Sequence, residues 1–166
     1  MAQFVSDMNE LFGGFRKRAE EVAASLKGDD VAFVIVTSTN PLSIDEALFF
    51  QERLGSSEMA AEAIVINGVH PLLAEPALRG AELVAAVGEA LPADQKDDAK
   101  LATRKMRRAL DDSRVLAVAD RIQADRLKNA RGEVICVEVP AFEEDVHDLP
   151  ALAKVARHLT ARSEAA

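Results

Sequence analysis

The sequence contains no tryptophan, no tyrosine and a single cysteine among its 166 residues. One cysteine excludes a disulfide within the chain and any cysteine-rich zinc site, and it suits a reducing compartment. Phe is the only aromatic type, so the core has to be built mainly from Val, Ile, Leu and Ala. No apolar run approaches the ~20 residues that span a bilayer. Met1 to Leu26 carries Asp7, Glu10, Arg16, Lys17, Arg18 and Glu20 where a secretory leader would be apolar. A cytoplasmic chain without stable membrane insertion is therefore expected. The net charge of -8 lacks the cation excess that a phosphate backbone attracts, so no nucleic-acid partner is expected. A phosphate-binding loop of the GxxxxGK[ST] type is also missing, and Gly13 and Gly14 lie inside a helical pattern with no strand before them.

What is present reads as one α/β domain over residues 1–166, with Arg162 to Ala166 as a frayed polar tail. Apolar positions from Phe4 through Met8, Leu11, Phe15 and Val22 to Leu26 recur at steps of three and four, the spacing of an amphipathic helix ending near Gly28. Val31 to Thr37 is a short, nearly continuous β-branched run, the pattern of a strand buried on both faces of a parallel sheet. A turn at Thr39, Asn40 and Pro41 follows. Ser43 and Glu46 match a capping box for a helix closed by Gly55, and Ala63 to Asn67 forms the next strand. This strand, helix, strand unit has the length of a parallel crossover.

Further helices are expected over Pro76 to Leu91 and, densely charged, over about Asp97 to Leu127. The second has a narrow apolar stripe of Met106, Leu110, Val115, Val118 and Ile122, which leaves most of its surface wet and lets it project from the body. Glu133 to Val139 is a third strand ended by Pro140, and Leu149, Leu152, Val155 and Leu159 make a closing helix. The fold class is thus a partial doubly wound parallel sheet of about three strands flanked by helices. Such a sheet has faces and edges left to cover, so a homo-oligomer or a larger domain is expected.

Ligands of open α/β sheets sit beyond the carboxyl ends of the strands, so the candidate residues follow each strand. Asn67 offers donor and acceptor together, suited to the edge of a purine, and Pro140 with Ala141 and Phe142 can wall a flat ring. Asn67 before Gly68 is equally a turn former. His70 and His147, with Glu143, Glu144 and Asp145, fall on the same rim and raise a metal or acid–base cluster against the alternative of solvated loop residues. Arg104, Lys105, Arg107 and Arg108 are flanked by Asp97, Asp98, Asp111 and Asp112, the composition of a solvated helix face. Cys136, in mid-strand, reads as a small buried residue, and His158 as a helix C-terminal group facing the dipole. Phe49 and Phe50 cannot share one helix face, so one of them is expected to meet solvent or a partner.

The ordered blocks FRKRAEEVAASLKGDDVAFVIVTSTNPLSIDEALFFQERL, EAIVINGVHP and EVICVEVPAFEEDVHDLPALAKVARHL resemble the C-terminal half of the anion-transporting ATPases. That family includes the arsenite-pump ATPase ArsA and the ATPase that targets tail-anchored membrane proteins. The resemblance implies the C-terminal part of a P-loop NTPase fold, in which Asn67 meets the adenine edge and Pro140, Ala141 and Phe142 continue the wall. Thr37 to Ser43 resembles the segment joining a core strand to the next helix. ATP with Mg would then be the cofactor of the whole protein, with a separate N-terminal phosphate-loop half, a second copy, and a client protein or anion pump as partners. The family's phosphate loop, Mg-binding Ser or Thr, switch aspartates and paired cysteines have no counterpart here, and Gly68 stands where a bulkier residue often follows the Asn. No catalytic or metal residue is assigned, and turnover by this chain alone is not expected. The alternative is a non-catalytic interaction or dimerisation module.

Overall fold

The computed structural model describes residues 2–161, which form an α/β fold around a three-stranded parallel sheet of order β1-β2-β3. In chain order the elements are α1 (Ala2–Leu26), β1 (Phe33–Ser38), α2 (Pro41–Ser56), β2 (Ala61–Val69), α3 (Gly80–Ala90), α4 (Ala99–Ala130), β3 (Ile135–Pro140) and α5 (Leu149–Thr160). A 3-10 segment, Ala93–Asp98, joins α3 to α4. The tail from Arg162 to Ala166 lies outside the described residues.

The core lies between one face of the sheet and two helices. Ile35 of β1 and Ile64 and Ile66 of β2 meet Ile44, Ala47 and Leu54 of α2 and Ala124 and Leu127 of α4. Because side chains alternate along a strand, the same period sends Val34 and Val36 to the opposite face. There they remain 54% and 67% exposed, so the expectation of a first strand buried on both sides is corrected. On β3 the opposite face is covered at one end, where α5 packs against the strand and Val139 is buried, while Ile135 stays exposed. Phe15, Val22 and Leu26 on α1 are exposed too, and none of its described side chains, from Gly14 on, joins the core cluster, while the side chains of Phe4, Met8 and Leu11 lie outside the described residues.

Several local signals resolve differently from the sequence reading. Asn40, not Ser43, caps α2: its Oδ1 accepts the Leu42 N–H at 2.9 Å, and Pro41 begins the helix, where a missing N–H costs nothing. Ser43 lies inside the first turn, where its carbonyl accepts the Thr37 hydroxyl at 3.0 Å. Gly55 belongs to the last turn, and the left-handed residue that reverses the chain is Glu58, at φ 59°. The Lys27 ammonium donates to the Glu58 carboxylate at 2.8 Å, ties the end of α1 to this turn and holds that carboxyl below its usual range.

The long helix α4 is also rotated from expectation. Its buried stripe is Ala117, Asp120, Ala124 and Leu127, at steps of three and four, while Val115, Val118 and Ile122 face solvent. Small residues on the inner face let the helix approach the sheet closely, and Leu127 is the large apolar side chain fully buried there. The helix α4 packs on α3, α2 and β2 and does not project from the body. Leu127→Ala is therefore expected to cost about 2–5 kcal/mol of unfolding free energy. Val115→Ala is expected to stay within about 0.5 kcal/mol. Urea titration of the two variants checks the rotation, and a larger loss at Val115 would contradict it.

Candidate functional site

The carboxyl ends of β1, β2 and β3 open onto one rim. The chain there is held by a buried carboxylate. Asp120, 7% exposed on the inner face of α4, accepts the backbone N–H of His70 at 2.8 Å and His70 Nδ1–H at 2.7 Å, both through Oδ2. Burial pushes its pKa up, yet the His70 amide, the Thr39 hydroxyl and the His70 ring outweigh that and hold it below the usual carboxylate range. One side chain thus joins the segment after β1, the segment after β2 and α4. The loop beyond His70 is tied to the same helix, since Arg114 donates to the Leu73 carbonyl at 3.1 Å and pairs with Glu75.

Between Asn67 and this anchor the strand is irregular. Gly68 adopts φ 76°, and the pairing with β3 skips it, from Asn67 opposite Val139 to Val69 opposite Pro140. A bulge of this kind re-aims the neighbouring side chain, and a glycine meets its backbone demand without strain. Asn67 is exposed and lines a cavity of about 430 Å³ with Thr37, Ser38, Ser43, Glu46 and Phe50.

Pro140, the last residue of β3, is half-buried, as are Ala141 and Phe142. The Ala141 N–H donates to the Val69 carbonyl at 2.9 Å, which carries the sheet pairing one residue past the strand. Ala141 and Phe142 line a second cavity of about 380 Å³ with Pro71, Glu143, Glu144 and Lys154. The sheet therefore places Asn67 and the Pro140–Phe142 segment on hydrogen-bonded neighbouring strands, lining two separate recesses.

The other candidates separate. His70 turns to Asp120, while His147 donates through Nδ1 to the carbonyl of Asp145 at 2.8 Å. No group of three or more His, Cys, Asp or Glu able to hold a metal forms among the described residues, so the two-histidine cluster with Glu143, Glu144 and Asp145 is corrected. His158, in the last turn of α5, stacks obliquely on Phe142 with ring centroids 5.8 Å apart. Cys136 packs against the core, and burial raises its thiol pKa against the pull of Arg131 and Lys128. Arg104, Lys105, Arg107 and Arg108 are all exposed. Phe49 and Phe50 are both exposed, where one was expected. No described helix is long and apolar enough to cross a membrane.

Asp120 was missed by sequence reasoning. Its signal was an acidic residue standing in register with Ala117, Ala124 and Leu127, once the inner face of that helix is known. With a depressed pKa, its stabilisation is present above the unfolded carboxylate pKa and is lost as pH falls through the folded value. Asp120→Ala strands the His70 amide and is expected to cost about 1–3 kcal/mol at neutral pH. That difference from wild type should narrow in acid, measured by urea unfolding at neutral pH and near pH 3, and a difference independent of pH would contradict the role. The chain matches no protein-family model and no curated protein.

Proposed function

We propose that this chain is the C-terminal, adenine-binding part of an anion-transporting, ArsA-like ATPase, and that ATP with Mg is bound and hydrolysed only together with a phosphate-loop half. The observation that carries the reading is the placement of Asn67 and of Pro140, Ala141 and Phe142 at the carboxyl ends of paired strands. Adjacent strands lie about 4.8 Å apart, a span that one purine ring system covers. In this reading the Asn67 amide meets the donor and acceptor of the adenine edge, and Pro140 to Phe142 form the apolar wall beside it. Asp120 and the Gly68 bulge fix where Asn67 stands.

The residues present fit a base and do not fit its phosphates. A triphosphate with Mg needs a run of backbone N–H groups, a lysine and hydroxyl or carboxylate ligands around the metal. The recess beside Phe142 offers one lysine, Lys154, among Glu143 and Glu144, whose charge repels phosphate. Phosphate binding and hydrolysis therefore belong to the other half, and this chain positions the base. A non-catalytic interaction module is the second reading, favoured by the exposed Phe15, Val22 and Leu26 of α1.

Titration of the ¹⁵N-labelled chain with adenosine separates the two. Base binding is expected to shift the Asn67 side-chain amide and the backbone amides of Gly68, Ala141 and Phe142 with an affinity near 1 mM, about 4 kcal/mol. Asn67→Ala should weaken those shifts several-fold while leaving the rest of the spectrum in place. Shifts confined to other surfaces, or none at these positions, would sink the adenine reading.

A further inference from the structure

A third recess, of about 200 Å³, lies between the segment that follows β2 and the middle of α4. The buried Val69 and Ala117 line it, together with Leu72, Val118 and Ile122, which are exposed. Apolar side chains gathered around a concavity, with a few polar groups among them, are the ordinary lining of a small-molecule site. The polar side chains here are His70 and Arg121. The lining shares no residue with the recesses of Asn67 and Phe142.

His70 is oriented. Its backbone N–H and its Nδ1–H both end on Asp120 Oδ2, at 2.8 and 2.7 Å, while the side chain stays partly exposed. The backbone bond already ties the strand end to α4, so the ring bond adds something further. A neutral imidazole that donates through Nδ1 carries its lone pair on Nε2, which makes Nε2 an acceptor of fixed direction. Arg121 is the complementary group. One of its nitrogens stands 3.5 Å from Glu138, which has a closer partner in Lys128, and the Arg121 side chain is exposed. A guanidinium has five N–H donors, so this contact leaves donors for an anion.

We propose that this recess binds a small apolar hydroxy acid. The ligand hydroxyl donates to His70 Nε2, the carboxylate accepts from Arg121, and the apolar body lies against Leu72, Val118 and Ile122. An acceptor and a cation set in one apolar space ask for a donor and an anion on one apolar molecule. A dicarboxylate would turn its second anion on the Nε2 lone pair, and an amine would meet the charge of Arg121, so both are disfavoured. The recess has roughly half the volume of each of those at Asn67 and Phe142, which limits the body to about one ring or a short chain.

The test is a titration of the ¹⁵N-labelled whole chain with 3-hydroxybenzoate and with 4-hydroxybenzoate, two spacings of the same pair of groups. At least one of them is expected to shift the backbone amides of Val69, His70, Leu72, Val118 and Arg121. Benzoate, without the hydroxyl, and phenol, without the carboxylate, are each expected to bind about tenfold more weakly, the loss of one hydrogen bond to the site. His70→Ala keeps the backbone N–H bond to Asp120 and should lower the hydroxybenzoate to the affinity of benzoate, with benzoate itself unchanged. Arg121→Gln, at an exposed position, should lower it to that of phenol. If His70→Ala does not fold, the ligand comparison on the wild type and Arg121→Gln decide the question. No shift at these amides with either hydroxybenzoate would overturn the proposal, as would benzoate or phenol binding equally well, or full affinity in either folded variant. Shifts at Asn67, Ala141 and Phe142 in their place would assign the ligand to the strand ends and overturn it too. Because the linings are separate, the adenosine titration stands or falls independently of this one.

Discussion

A three-stranded parallel sheet has two faces and two edges to keep from water, and this chain deals fully with one of each. The helices α2 and α4 bury one face through Ile35, Ile64 and Ile66. Ion pairs from Arg121 and Lys128 to Glu138, with Pro140, blunt the edge at β3. Among the described residues the opposite face is best covered near Val139, and no strand pairs with the outer edge of β1. Parallel strands are found where both faces are covered, because their residues are apolar on both. The exposed valines of β1 are the apolar surface that this arrangement leaves without cover among the described residues.

The same asymmetry shapes the candidate site. On the covered side, Asp120 reaches from α4 to the ends of β1 and β2 and fixes both with one carboxylate. The bulge at Gly68 then sets the direction of Asn67. On the less covered side, β3 runs into Ala141 and Phe142, and the Phe142 ring rests against His158 of α5. The rim is thus supported from both layers, with the polar Asn67 at the end of β2 and the apolar Ala141 and Phe142 beyond β3. In the proposed reading these two would meet the hydrogen-bonding edge and the flat face of a heteroaromatic base.

Element types and their order were legible in the sequence because hydrophobic period separates helices from strands well. What the period does not carry is which face is covered. The run VAFVIVT implied burial on both sides, and only the arrangement of helices shows that Val34 and Val36 have no cover. In α4 the large apolar residues Val115, Val118 and Ile122 suggested the inner face, whereas close helix–sheet contact selected Ala117 and Ala124. The capping box at Ser43 was overridden by Asn40 and Pro41, three and two residues earlier: an extended Asn followed by Pro defines the first turn before Ser43 is reached. Asn67 and Pro140 to Phe142 were legible as strand-end residues. Their separate recesses, and the pairing of His70 with Asp120 across 50 residues of chain, depend on tertiary contacts that no local pattern encodes.

The central claim, that the strand ends serve the base of a nucleotide whose phosphates are held by another half, is tested most directly in the coding DNA. The measurement is the nucleotide sequence immediately upstream of the Met1 codon, read in the same frame. The account expects an open frame encoding a strand, a glycine-rich phosphate loop with its lysine, and a helix. A stop codon close upstream, with a translation start signal at Met1, would contradict it and leave the interaction module as the function of the chain.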